Sequence, residues 1–241
     1  MAADMTREFI YDCLAGVPSC HASTIVELAN GDLAAAWFGG ETEGSPDASH
    51  YWAKKRVGQA QWDPPERLWD MPGHSAGNPR LFMTPDDTLW AMLPVNFGKW
   101  CNGGTRFYYR TSHDSGETWS EAVHVPELDM LLGKNKPVVF PDGRFALPVT
   151  MELTKMSAAV VRMPESGSWQ VSSPLSLPGG GRCIQPSFVM LRDGRVLAFF
   201  RTGSGRIWKA FSADRGLTWS QPVETALRNN DSGIDLACLQ N

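Results

Sequence analysis

Four apolar runs, each opened by a turn, set the rhythm of this chain. They read NGDLAAAWF from Asn30, DDTLWAMLP from Asp86, DGRFALPVT from Asp142 and DGRVLAFFR from Asp193, with starts 56, 56 and 51 residues apart. Asp-Gly or Asn-Gly between two apolar stretches is the strongest short-range hairpin signal. A matching run precedes each turn: HASTIVEL from His21, NPRLFMT from Asn78, NKPVVFP from Asn135 and QPSFVML from Gln185, at intervals of 57, 57 and 50. A tryptophan closes each unit, at Trp62, Trp119, Trp169 and Trp219, spaced 57, 50 and 50 residues apart. Three markers sharing one period define an internal repeat.

Within each unit a third strand-like run follows the hairpin, as in TRFYYRTS from Thr105 and GRIWKAFS from Gly205, and a fourth follows the tryptophan, as in EAVHV from Glu121. Few stretches carry the 3.6-residue period of a helix. The pattern therefore predicts an all-β protein: four-stranded antiparallel sheets arrayed around an axis as a β-propeller, a layout that protects sheet edges. Residues 1–241 read as one such domain, with blades near 20–75, 76–132, 133–182 and 183–228 and the start of a fifth over 229–241. The expected fifth-blade strand is DLACLQ from Asp235, and residues 8–12, EFIYD, suit a strand that completes the last blade. On this reading the propeller is incomplete at its C-terminal side, and its open edge could support self-association.

Composition narrows the partners. A net charge of −4 argues against a nucleic-acid binder. Lys54-Lys55-Arg56, the only basic run, reads as a solvated strand or turn. No stretch approaches the ~20 apolar residues of a membrane span, and the first twenty residues carry charges and Pro18 where a signal peptide needs an unbroken apolar core. Five widely spaced cysteines without a CxxC read as reduced thiols, so a cytoplasmic location is expected. Nothing in the spacing calls for zinc or for any cofactor.

Two units carry a sharper signature, SHDSGETW from Ser112 and SADRGLTW from Ser212, both S-x-D-x-G-x-T-W and 100 residues apart. The chemistry is that of a tight turn: a carboxylate accepting turn amides, a glycine at positive φ, a threonine tying the returning strand and a tryptophan packing between sheets. The motif resembles the Asp-box of the sialidase-like BNR repeat family, and the resemblance spans essentially the whole chain. In that family the boxes lie on outer hairpins far from the active site, which implies structural roles for Asp114 and Asp214.

In a propeller, first strands line the axis and the loop leaving each second strand faces the same mouth. His21, Asn78, Asn135 and Gln185 recur at the start of the first strands, suggesting a polar ring that holds a ligand or, alternatively, bonds strand ends to one another. The loop from Gly39 to Trp52 offers Glu41, Glu43, Asp47 and His50. Arg201 emerges from an apolar run and suits bidentate recognition of a carboxylate, with Lys136 as a second positive charge. The family resemblance places Arg201 where a blade-four arginine grips sialic acid, and Asp47 where an acid/base aspartate stands. It departs where the blade-one arginine would be, since the segment reads SCHAST, and Gln185 stands where a glutamate is expected. His21, able to act as base or acid, could join Asp47 in that work.

The resemblance thus implies an exo-acting, exo-α-sialidase-like glycosidase on an acidic sugar. Catalysis would fall to Asp47 and His21, and binding to Arg201, Gln185, Lys136, Asn135, Asn78 and Glu43. A polysaccharide lyase using His21 as base on a uronate, and a non-catalytic glycan-binding propeller, are the alternatives.

Overall fold

A computed structural model describes residues 7–98 and 102–238; Cys101 and the end of the expected fifth-blade strand lie outside them. The architecture is all-β, with one short 3-10 turn, Pro126–Leu128, as the only helical piece among the described residues. Among the described residues no helix is long and apolar enough to cross a membrane.

The first sheet comprises β1 (Ser19–Glu27), β2 (Leu33–Gly40), β3 (Ser49–Lys55) and β4 (Glu66–Trp69), paired in that order. In the second, β5 (Ser75–Ala76) and β6 (Arg80–Met83) both pair with β7 (Leu89–Asn96), followed by β8 (Thr105–Ser112) and β9 (Val123–His124). In the third, β10 (Leu131–Gly133) and β11 (Val138–Val139) pair with β12 (Phe145–Met151), then β13 (Ser157–Arg162) and β14 (Trp169–Val171). The fourth runs β15 (Cys183–Met190), β16 (Val196–Thr202), β17 (Arg206–Ser212), β18 (Val223–Arg228). All pairings are antiparallel, as the hairpin pattern requires.

The four inner hairpins share one turn chemistry. The side-chain oxygen of the first turn residue accepts the amide two residues on: Asn30 from Asp32 at 3.1 Å, Asp86 from Thr88 at 3.3 Å, Asp142 from Arg144 at 3.2 Å and Asp193 from Arg195 at 3.1 Å. The intervening residue is left-handed in each case, Gly31, Gly143 and Gly194 at φ 82–84° and Asp87 at 59°. Asp tolerates that region better than most non-glycine residues.

Successive sheets pack face to face, and the two-residue strand period sends alternate side chains to opposite neighbours. Ala34 and Ala36 of β2 meet Leu89, Ala91 and Leu93 of β7 between sheets one and two. Met92 of β7 points the other way, joining Phe145, Leu147 and Val149 of β12. Ala146 of β12 meets Ala198 and Phe200 of β16. The second strands therefore read as nearly continuous apolar runs because both faces are covered. Burying each large apolar side chain contributes about 1.5–3 kcal/mol.

Both Asp-boxes fold alike. Asp114 Oδ1 accepts from Ser112 Oγ at 2.7 Å and Thr118 N at 2.9 Å, and Oδ2 accepts from Thr118 Oγ1 at 2.5 Å. The set recurs at Asp214 with 2.8, 2.8 and 2.6 Å. Led by the Thr118 hydroxyl, these donors hold the Asp114 carboxyl down at about 2. Trp119 meets Trp52 of the adjoining first sheet edge-on at 5.4 Å, and Trp219 packs on Phe188 of its own sheet, at the cluster shared with sheet three.

Three expectations change. Residues 8–12 form no strand: Ile10, Tyr11, Leu14 and Val17 cover the flank of the first sheet, Tyr11 stacking on Trp37 at 5.3 Å, so side-chain burial takes the place of ladder pairing. Residues 229–238 form no strand either; Leu236 N and Asp235 Oδ1 bond to the Ser187 hydroxyl instead of entering a ladder. The basic run is paired with acids: buried Lys54 contacts Glu117 at 2.5 Å, Lys55 contacts Glu8 at 2.6 Å and Arg56 contacts Asp63 at 3.4 Å.

Candidate functional site

The inner strand of every sheet breaks register near its start. Shifts fall between His21 and Thr24 and between Ile184 and Ser187, while the other two inner strands split into β5/β6 and β10/β11. An extra residue at such a break re-aims side chains, a use to which bulges are often put beside functional sites. Gln185 takes φ 46° and Ala22 takes 55°. Because His21 pairs with Phe38 as Ile184 pairs with Arg201, Ala22 and not His21 is the counterpart of Gln185.

At these breaks sheets two, three and four surround a cavity of about 330 Å³. Asn78, Gly133, Thr150, Gln185 and Arg201 contribute to its walls, with Glu43 reaching it from the loop after β2. Lys155 and Arg182 also line it, giving three cations against one wall carboxylate. Arg201 donates from Nη1 to Gln185 Oε1 at 2.9 Å and from Nε to Asp231 Oδ1 at 2.9 Å. The other Asp231 oxygen pairs with the Arg182 guanidinium. Burial, then the neighbouring Arg182 charge, works against the charge on Arg201. Two guanidiniums on one carboxylate is the geometry of carboxylate recognition, since each presents fixed planar donors.

Beneath Gly133 lies Arg80, wholly buried, its guanidinium over the Phe107 ring at 4.9 Å and its Nη1 3.5 Å from Pro148 O. Burial pushes its ionisation down to about 9, which leaves it cationic at neutral pH.

The other predicted residues serve different ends. Asn78 Nδ2 donates to Gly133 O at 3.0 Å, and buried Asn135 donates to Pro186 O at 2.9 Å and Gln185 O at 3.3 Å. These amides stitch each inner strand to the next sheet; Asn78 does so while lining the cavity, and Asn135 is not a wall residue. Lys136 donates to Ile25 O at 2.9 Å, linking sheet three to β1 away from the cavity wall.

Asp47 is exposed and outside the wall; its carboxylate accepts the Glu41 amide at 2.9 Å. Its ionisation is held low, first by the Ser45 hydroxyl and then by that amide, and the side chain clasps the loop. His21 bonds Ser19 Oγ at 2.9 Å and stacks on Phe38, likewise outside the wall. His50 is fully buried within β3. Arg182, Lys155 and Asp231 hold no position in the repeat pattern that marks them as site residues; Arg182 closes the Gly179-Gly180-Gly181 run just before Gln185 and Asp231 lies in the segment NDSGID. Among the described residues no three His, Cys, Asp or Glu side chains converge as a metal site.

Residues 31–241 match the family described as BNR repeat-like domain, BNR_2. Curated protein sequences give no match. Solved structures give many. A Dyadobacter fermentans protein of unknown function is 18% identical, with a TM-score of 0.73 over 89% of this chain and 75% of its own. The Hadza microbial sialidase Hz136 is 16% identical, with a TM-score of 0.73 over 88% of this chain and 48% of its own. The intramolecular trans-sialidase of Ruminococcus gnavus, in complex with oseltamivir carboxylate, is 14% identical, with a TM-score of 0.70 over 88% and 71%. This chain therefore spans about half the length of one of these sialidases and under three quarters of the other.

Proposed function

This chain belongs to the BNR repeat-like domain family, and from that footing we propose that it is a sialidase-like, exo-acting glycoside hydrolase whose substrate bears a carboxylate. The observation that carries the reading is the pair of cavity-lining guanidiniums, Arg182 and Arg201, closing on one carboxylate. A sugar acid presents the same group, and the cavity's volume suits one terminal residue more than a long chain. The trans-sialidase of like fold is known with a carboxylate ligand.

For the chemical step Glu43 is the candidate. It is the one carboxylate on the cavity wall among the described residues. In this role it passes its proton to the glycosidic oxygen as the bond to the anomeric carbon breaks; water then adds its hydroxyl to that carbon and returns its other proton to Glu43. A second reading, a non-catalytic binder of acidic glycans, is favoured by that same solitude, because glycoside hydrolysis ordinarily pairs two groups.

Fluorogenic sialosides and uronides test both. Glu43→Gln should lower turnover by about 10²–10⁴-fold, the range of a general acid, while sugar-acid affinity stays unchanged. Full activity in that variant would refute the assignment. Binding of sugar acids without turnover of any of these substrates would select the binder.

A further inference from the structure

After β18 the chain forms a strap over the start of the fourth sheet. Its near end is fixed by Asn229 N donating to Gly205 O at 3.0 Å, and its far end by Leu236 N donating to Ser187 Oγ at 2.9 Å. Between them Asn229 folds a tight turn: its Oδ1 accepts Asp231 N at 3.0 Å and its Nδ2 donates to Ser232 O at 3.1 Å. Asp231 stands at the apex with φ 63°, the left-handed turn conformation that Asp87 also takes. Gly233 lies so close to Lys134 and Gln185 that a Cβ would come within 2.8 Å of the lysine side chain. The strap is thus built to put one carboxylate in one place, between Arg182 and Arg201.

We propose that Asp231 is a specificity-determining residue, an internal carboxylate that stands in for the ligand's own and is exchanged for it on binding. The inference rests on the reading that this arginine pair receives a sugar acid. Its physical basis is competition. The donors held by Asp231, Nε of Arg201 and Nη2 of Arg182, cannot at the same time be offered to a ligand. A neutral sugar gains nothing by displacing the aspartate, whereas a carboxylate replaces the bonds it breaks. The fraction of molecules with free arginines then scales the apparent affinity. Asp231 also holds two like charges together, against the burial of Arg201 and its repulsion by Arg182.

The test uses the full chain and calorimetric titration with N-acetylneuraminate and D-glucuronate, each beside its methyl ester. Asp231→Asn should tighten binding of a free acid by about tenfold, the scale of relieving a competing charge-assisted contact, and leave the esters unmoved. Weaker or unchanged acid binding overturns the proposal. Arg201→Met separates the two layers. If it abolishes acid binding while Asp231→Asn fails to tighten it, only the exchange is wrong; if it leaves acid binding intact, the recognition reading falls as well. Should Asp231→Asn misfold, amide hydrogen exchange on the unaltered protein decides. Adding the acid should speed exchange at the Asp231 amide and the ester should not; increased protection overturns the proposal.

Discussion

Gly133→Ala would probe the stacking of a buried cation against a bare backbone. Gly133 lies outside the left-handed region, so alanine is conformationally acceptable there, yet its Cβ would sit 2.3 Å from Cζ of Arg80. Ordinary contact begins near 3.4 Å, which means a shift of about 1 Å for a group held on its other side by the Phe107 ring. Overpacking of this kind costs about 1–3 kcal/mol. At roughly 2–4 °C per kcal/mol for a chain of this size, the melting temperature should fall by about 2–12 °C. A double-mutant cycle isolates the cause. Arg80→Met keeps a long apolar stem beside Phe107 and removes the charge, so in that background Gly133→Ala should cost less than half as much. Thermal unfolding of the four proteins supplies the cycle. Strictly additive losses would refute the clash.

Two further outcomes follow from buried polar groups. Asn135→Ala strips the donor shared by Pro186 O and Gln185 O, and should destabilise by about 1–3 kcal/mol, read as a lower denaturant midpoint at constant slope; an unmoved midpoint would mean the stitch carries no stability. Burial drives the ionisation of His50 from 6.5 down to about 4, so the unfolded chain binds the extra proton first; stability from this ring is intact above pH 6.5 and falls toward pH 4, and His50→Leu should flatten the chemical-denaturation profile across that window.

The repeat was legible because its signals are local. Asn30, Asp86, Asp142 and Asp193 each hold a turn through their own side chain, so neighbours in sequence suffice to announce it. The Asp-boxes are local for the same reason. The cavity is another matter. Arg201 and Gln185 could be placed by strand register, but Arg182 sits in a glycine-rich approach with no periodicity to fix it. Asn135 reads like a mouth residue until its amide is found bonded across to the next sheet. Asp47 carries the expected chemistry on the expected loop, and there its Oδ2 accepts the Glu41 amide. Which donor meets which acceptor across two sheets depends on bulges of one or two residues, and bulges leave little trace in an apolar pattern.

The alternation along β7 and β12 has a consequence for how such a chain can change over time. Each of these strands addresses two different neighbours, Ala91 and Met92 looking opposite ways and likewise Ala146 and Leu147. Deleting a single residue inside either strand would swap both addresses at once and misfit two interfaces with one event. Tolerated length changes are therefore confined to the connections, and the unequal intervals of 56, 56 and 51 residues between otherwise like hairpins record that confinement.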